Sequence, residues 1–237
     1  MKLAISSTLG DPRDPRTWSA APANLSDALE SAGVEIVPID SSCLGRAEKA
    51  LYAIWNFLRG MPPRAVSWFA PARRRRGAYV ANATLASGAK VVLCCGTLDV
   101  PLGHGLDYAI WLDNSWNLLR QSRTPPPFSE RACDEIDELE GRALRGATRV
   151  LTFSQHVRDD IVAHYGVSPE RVVAVGCGAG DLPAFIGDKS YAGGHLLFVA
   201  KHLFAAKGGE LVVEAFRIIR ARRAQTRLVM VVSNDVA

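Results

Sequence analysis

Short apolar runs alternate with longer stretches of helical spacing through most of the chain. Leu3-Ala4-Ile5, Val34 to Ile39, Val91 to Cys95, Tyr108 to Leu112, Thr148 to Phe153 and Val172 to Val175 are brief and apolar. That pattern predicts strands of a parallel sheet, buried on both faces. Between them a helix is predicted from Thr17, with Leu25, Leu29 and Ala32 on one face and Gly33 as its stop. Another covers 43–60, where Leu44, Ala47, Leu51, Ile54, Trp55 and Leu58 form a broad apolar stripe ahead of Pro62-Pro63. A helical region runs from about 64 to 86. A charged helix from Glu130 to Arg145 keeps Ile136, Leu139, Ala143 and Leu144 on its apolar side, and Ser154 is a good N-cap for a helix carrying Val157, Ile161 and Val162. Strand–helix alternation of this kind predicts an α/β fold with a doubly wound, Rossmann-like parallel sheet, whose ligands meet the carboxyl ends of the strands.

The pattern restarts at 195. Leu196 to Ala200 is a five-residue apolar run, followed by a loop with Lys201, His202 and Lys207, then Gly208-Gly209. Leu211, Val212, Ala215, Ile218 and Ile219 then fall on one helical face, and Leu228 to Val232 reads as a further strand. A helix N-terminus offers free N–H groups and the positive end of a dipole, and glycines let an anion approach the backbone. Lys201 and Lys207 beside such a terminus make a candidate diphosphate cradle with Gly208 and Gly209; the spacing alone also fits a plain strand–helix turn with solvated lysines. The expected organisation is an N-terminal domain over 1–185, a linker over 186–194 around Gly193-Gly194, and a βαβ unit over 195–237.

Composition narrows the class. With 48% hydrophobic and 22% charged residues the chain has material for a real core. A net charge of +4 suits an anionic substrate or acidic surfaces without demanding nucleic acid. The run Arg73-Arg74-Arg75-Arg76 has one flanking aromatic, Tyr79, and no partner motif, so it reads as a solvated helix face or a local anion contact. Five cysteines without a CxxC pair suggest neither a disulfide framework nor a zinc site. Met1 to Gly10 has one lysine and too short an apolar run for a signal peptide, and no 18-residue apolar stretch occurs, so a cytoplasmic location is expected, with room for peripheral membrane association. Gly176-Cys177-Gly178-Ala179-Gly180 follows a strand, but Pro183 and Gly187 leave no space for the long helix a dinucleotide fingerprint requires.

Several motifs together resemble the retaining GT-B glycosyltransferases of family 4. Phe198-Val199-Ala200-Lys201, Lys207-Gly208-Gly209 and Glu214-Ala215-Phe216 resemble that family's strand, Gly-Arg pair, Lys-Gly and helix end, with Ala200 and Lys201 in place of the usual Gly and Arg. Thr148 to Ser154 and Tyr165-Gly166-Val167 are similar to its closing strand–helix, although the usual Pro-x-Gly turn is Gly176-Cys177-Gly178 here. Trp18-Ser19-Ala20 resembles a cleft-facing Trp-Ser-Gly segment, and Asp113-Asn114-Ser115 an acceptor-side Asp-Ala-Thr. His104, between two glycines, is the histidine best placed to act beside them.

The resemblance implies transfer of a sugar from a nucleotide-diphosphate donor to an acceptor hydroxyl with retention. Lys201 and Lys207 would stabilise the leaving diphosphate, with Gly208 and Gly209 beside it. Asp113, Trp18, Ser19 and His104 would stand on the acceptor side. The nucleotide-sugar is a co-substrate, no cofactor or metal is expected, and the partners are that donor and a hydroxyl acceptor, with no nucleic acid. The family's pair of glutamates eight residues apart does not occur in 195–237, so an incomplete donor domain is expected. A non-catalytic binding module derived from the same fold is the alternative, and another doubly wound protein, such as a sugar-phosphate or nucleotide epimerase, a weaker one.

Overall fold

A computed structural model describes residues 1–180, 182–188, 194–200 and 204–232. The chain divides into two compact units, Met1–Leu182 and Pro183–Ala237.

In the first unit six parallel strands form one sheet: β1 (Lys2–Ser7), β2 (Glu35–Asp40), β3 (Val91–Cys95), β4 (Asp107–Leu112), β5 (Arg149–Thr152) and β6 (Val172–Ala174). Their order is β2-β1-β3-β4-β5-β6. Pro38 sits in β2, an edge strand, where its missing N–H breaks no ladder between two neighbours. The direction of winding reverses between β1 and β3, which makes their carboxyl ends the topological switch point.

Side chains alternate across this sheet, and both faces are buried. Ala4, Val92, Cys94, Ile110 and Leu112 point to one core, while Ile5, Leu93, Cys95 and Trp111 point to another. The first core is closed by Val80 of α3 (Ala70–Ala86), Ala143 and Leu144 of α5 (Glu130–Gly146), and Val157 and Ile161 of α6 (Gln155–Ala163). Ala21, Leu25 and Leu29 of α1 (Ala21–Ser31) close the second. Helices on both faces of a parallel sheet define a doubly wound, Rossmann-like α/β fold. Met61, Phe69, Trp116, Ala132, Cys133 and Ile136 make a third cluster, reached by α4 (Trp116–Arg120).

Serine caps set three helix starts, as the sequence predicts for Ser154. Ser115, Ser129 and Ser154 accept from the backbone N–H of Leu118, Ala132 and Val157.

Three expectations are corrected. The α-helix does not begin at Thr17: Thr17–Ala20 is a short 3-10 turn in which Trp18, Ser19 and Ala20 adopt left-handed backbone with φ of 44°, 55° and 65°, and α1 opens at Ala21. Most of the stripe of α2 (Arg46–Leu58) does not face a core: Leu51, Ile54 and Leu58 are exposed, Asn56 is its buried residue, and Trp55 alone of these packs against the third cluster. The arginine run is a solvated face only at Arg74 and Arg75, the latter paired with Glu48. Arg73 and Arg76 share the inward side of α3 with Gly77, Val80 and Thr84, a helical spacing that carries both guanidinium groups inside.

In the second unit β7 (His195–Ala200) and β8 (Arg227–Val232) pair in parallel and are joined through α7 (Gly209–Arg222). Leu197, Val199, Val229 and Val231 are exposed on the two strands. Among the described residues no helix is long and apolar enough to cross a membrane.

Candidate functional site

At the switch point the loops after β1, β3 and β4 enclose a cavity of about 280 Å³. Thr8 and Leu9 leave β1, Gly96 to Leu98 leave β3, and Asp113 to Trp116 leave β4. Three indoles contribute to its wall: Trp18, Trp68 and Trp116. That volume lies near the lower end for small-molecule sites and suits one ring-sized group.

The indoles are held by ring packing. Trp18 stacks on Phe153 at 5.6 Å and meets Trp111 edge-on at 5.4 Å. Trp68 and Trp116 lie 5.1 Å apart, and the Trp116 indole N–H donates to the Cys133 carbonyl at 3.0 Å. Trp18 takes its position from the left-handed run 18–20. Such backbone costs an L-residue about 1–2 kcal/mol, and strain of this kind gathers at binding sites.

Asp113 stands at the mouth. Partial burial raises its carboxyl above the ordinary range, opposed by hydrogen bonds from backbone N–H groups and the Trp18 indole. Glu140 of α5 lies deeper and is buried. Its carboxylate accepts from the Trp116 backbone N–H at 2.6 Å, the Thr97 hydroxyl at 3.1 Å and the Tyr165 hydroxyl at 3.2 Å. Burial raises its pKa first of all, and the nearby Arg73 charge works against that rise. With its oxygens occupied, Glu140 builds the wall and is not free to act on a ligand.

Asp99, in the exit loop of β3, turns away from the cavity. It is fully buried, accepts from the Ser41 hydroxyl at 2.6 Å, and is raised by burial. Arg76 supplies the opposing charge.

Of the residues singled out from sequence, Trp18 and Asp113 come together at the cavity. Ser19 is exposed on the strained turn beside Trp18 and does not line it. His104 is elsewhere, in a second cavity between α3, α5 and the 97–104 loop. Trp68, Trp116 and Glu140 escaped the sequence reading. Glu140 could have been found, because it falls four residues after Ile136, on the helix face that carries Ala143 and Leu144.

In the second unit Lys207 is exposed in the turn before α7, and Gly208 caps the helix in left-handed backbone with φ of 79°. The first helical bond runs from Val212 N–H to the Gly208 carbonyl. Gly209 serves packing: a Cβ there would meet the Phe204 ring at 2.2 Å, and its N–H already donates to the Phe204 carbonyl at 2.9 Å. Glu210 occupies the first turn. Lys201 lies outside the described residues.

No protein-family model matches the chain, and no curated protein matches it. Among solved structures it is similar to the glycotransferase of kitacinnamycin, with a TM-score of 0.42 and 15% identity over 97% of this chain and 64% of that one. The chain thus spans less than two thirds of that structure's length. So distant a likeness carries no weight for the chemistry, and the doubly wound class rests on the sheet order and two-sided burial above.

Proposed function

We propose that the chain carries the acceptor-side unit and the opening βαβ of the donor-side unit of a retaining, family-4-like GT-B glycosyltransferase. The observation that supports this reading best is the indole-walled cavity at the carboxyl ends of β1, β3 and β4, with Asp113 at its mouth. Indole faces receive the apolar face of a sugar or aromatic ring, while a carboxylate at the rim accepts a hydrogen bond from the acceptor hydroxyl and orients it.

The donor would be a nucleotide-diphosphate sugar. As the sugar–oxygen bond breaks, negative charge grows on the leaving diphosphate, and catalysis requires groups that bind that charge more tightly than the ground state. Lys207 and the positive end of the α7 dipole are suited to that work, and Lys201 would join them by resemblance. With cations in this role no metal is invoked.

Calorimetric titration of the whole chain with UDP and GDP, repeated with Lys207→Ala, tests the donor half. Binding that is lost in the variant is expected, and failure of both nucleotides to bind the unaltered chain would overturn it. Tryptophan fluorescence with phenyl glycosides tests the acceptor half, with Asp113→Asn expected to weaken binding about tenfold. Glycoside binding without nucleotide binding would instead identify a non-catalytic acceptor-binding module.

A further inference from the structure

A second cavity, of about 150 Å³, opens between α3, α5 and the 97–104 loop. It is lined by Arg73, Arg74, Arg142 and His104 together with apolar groups, and no carboxylate residue lines it. Arg73 is 8% exposed. Its Nε donates to the Trp68 carbonyl at 2.9 Å and its Nη1 reaches the Thr97 carbonyl at 3.5 Å, while its Nη2 is buried without a partner. The nearest counter-charge, Glu140, spends its oxygens on Trp116, Thr97 and Tyr165. Arg142 has one weak ion pair, to Glu138 at 3.8 Å, with both side chains substantially exposed.

We propose that this cavity is an accessory site for one tetrahedral oxyanion, a phosphate group held by Arg73 from within and by Arg74, Arg142 and His104 at the rim. Arg73 from a buried position and Arg74 and Arg142 from exposed ones bring three positive charges to a cavity without a lining carboxylate, and a buried guanidinium N–H without an acceptor is costly. A phosphate offers several acceptor oxygens to arginine donors in fork geometry. The volume decides the size of the ligand: it is too small for a nucleotide-sized molecule, and ample for a phosphate in place of a few waters. The site does not depend on the glycosyltransferase reading. It shares Thr97 with the switch-point cavity, so occupancy would bear on the wall between the two.

The test is thermal unfolding of the whole chain in increasing inorganic phosphate, with sodium chloride at matched ionic strength as control and phenyl phosphate in a parallel arm. A saturable rise in Tm is expected, because a ligand that binds only the folded state stabilises it in proportion to ln(1 + [L]/Kd). Arg74→Ala/Arg142→Ala changes two exposed side chains and is expected to weaken phosphate at least tenfold; His104→Ala is a milder second variant. Lys207→Ala is expected to leave the effect intact. A response to inorganic phosphate alone assigns the site to the free ion, and an equal response to phenyl phosphate assigns it to a phosphate monoester. No saturable shift, the same shift in the double arginine variant, or a shift abolished by Lys207→Ala would each overturn the proposal.

Discussion

The backbone N–H of Trp116 donates to Oε2 of Glu140 at 2.6 Å, and both residues are buried. One carboxylate on α5 therefore fixes the start of α4, and with it an indole of the switch-point cavity. It does so while standing as the nearby counter-charge to the buried Arg73.

Glu140→Ala is expected to cost about 3–5 kcal/mol, because it takes the counter-charge from a buried guanidinium and leaves the Trp116 N–H and the Thr97 hydroxyl without their acceptor. Urea unfolding measures the loss, and Tyr165→Phe, which removes the hydroxyl that donates to Asp137 and Glu140 and accepts from the Asn117 N–H, should cost less, about 1–3 kcal/mol.

The same group makes stability depend on pH. Burial raises Glu140, so the folded chain holds that proton more tightly than the unfolded one. Its contribution is fully present below the ordinary glutamate value and is lost as pH rises through the raised one. Unfolding free energy should therefore fall as pH climbs out of the carboxylate range. Asp99, also raised by burial, adds a slope of the same sign. The difference between the unaltered chain and Glu140→Gln isolates the Glu140 part; identical slopes would refute this account.

Ala20→Gly should stabilise the first unit by about 0.5–1 kcal/mol. Left-handed backbone at φ of 65° is strained for alanine and free for glycine, and the relief exceeds the entropy glycine adds to the unfolded chain. A lower urea midpoint in the variant would mean the turn carries no strain.

Gly77→Ala should destabilise by about 1–3 kcal/mol despite alanine's better helix propensity. The new Cβ would meet the Val100 carbonyl oxygen at 2.4 Å, and that oxygen is backbone that cannot swing aside. Because Val100 belongs to the loop between the two cavities, crystallography of the variant should find 97–104 displaced.

Gly209→Ala should loosen the second unit, since its Cβ would run into the Phe204 ring. Faster hydrogen exchange along β7 and β8 is expected, with partial recovery in Gly209→Ala/Phe204→Leu. Exchange unchanged from that of the unaltered chain would show that the ring gives way at no cost.

Much of this architecture is written locally. The apolar runs at 91–95 and 107–112 become central strands because strands buried on both faces need no polar alternation. Ser154 caps its helix because a side-chain oxygen satisfies an orphan N–H two or three residues away. These relationships lie within a few residues, so periodicity and cap chemistry disclose them, and the doubly wound class follows from their order. The place of Asp113 directly after a strand was legible for the same reason.

What the chain alone could not disclose depends on neighbours remote in sequence. Arg73 and Arg76 read as a charged surface until α3 is laid on the sheet, where a guanidinium finds Glu140 or Asp99 across the core. His104 and Asp113 look like companions along the chain, yet the loops after β3 and β4 carry them to different cavities. The left-handed turn at 18–20 contains no glycine to announce it, and it persists because Trp18 is clamped between Trp111 and Phe153. Local preference determined the elements of this protein; which polar groups are buried, and which loops share a cavity, was decided by tertiary packing, because the desolvation of a charge is set by everything that surrounds it.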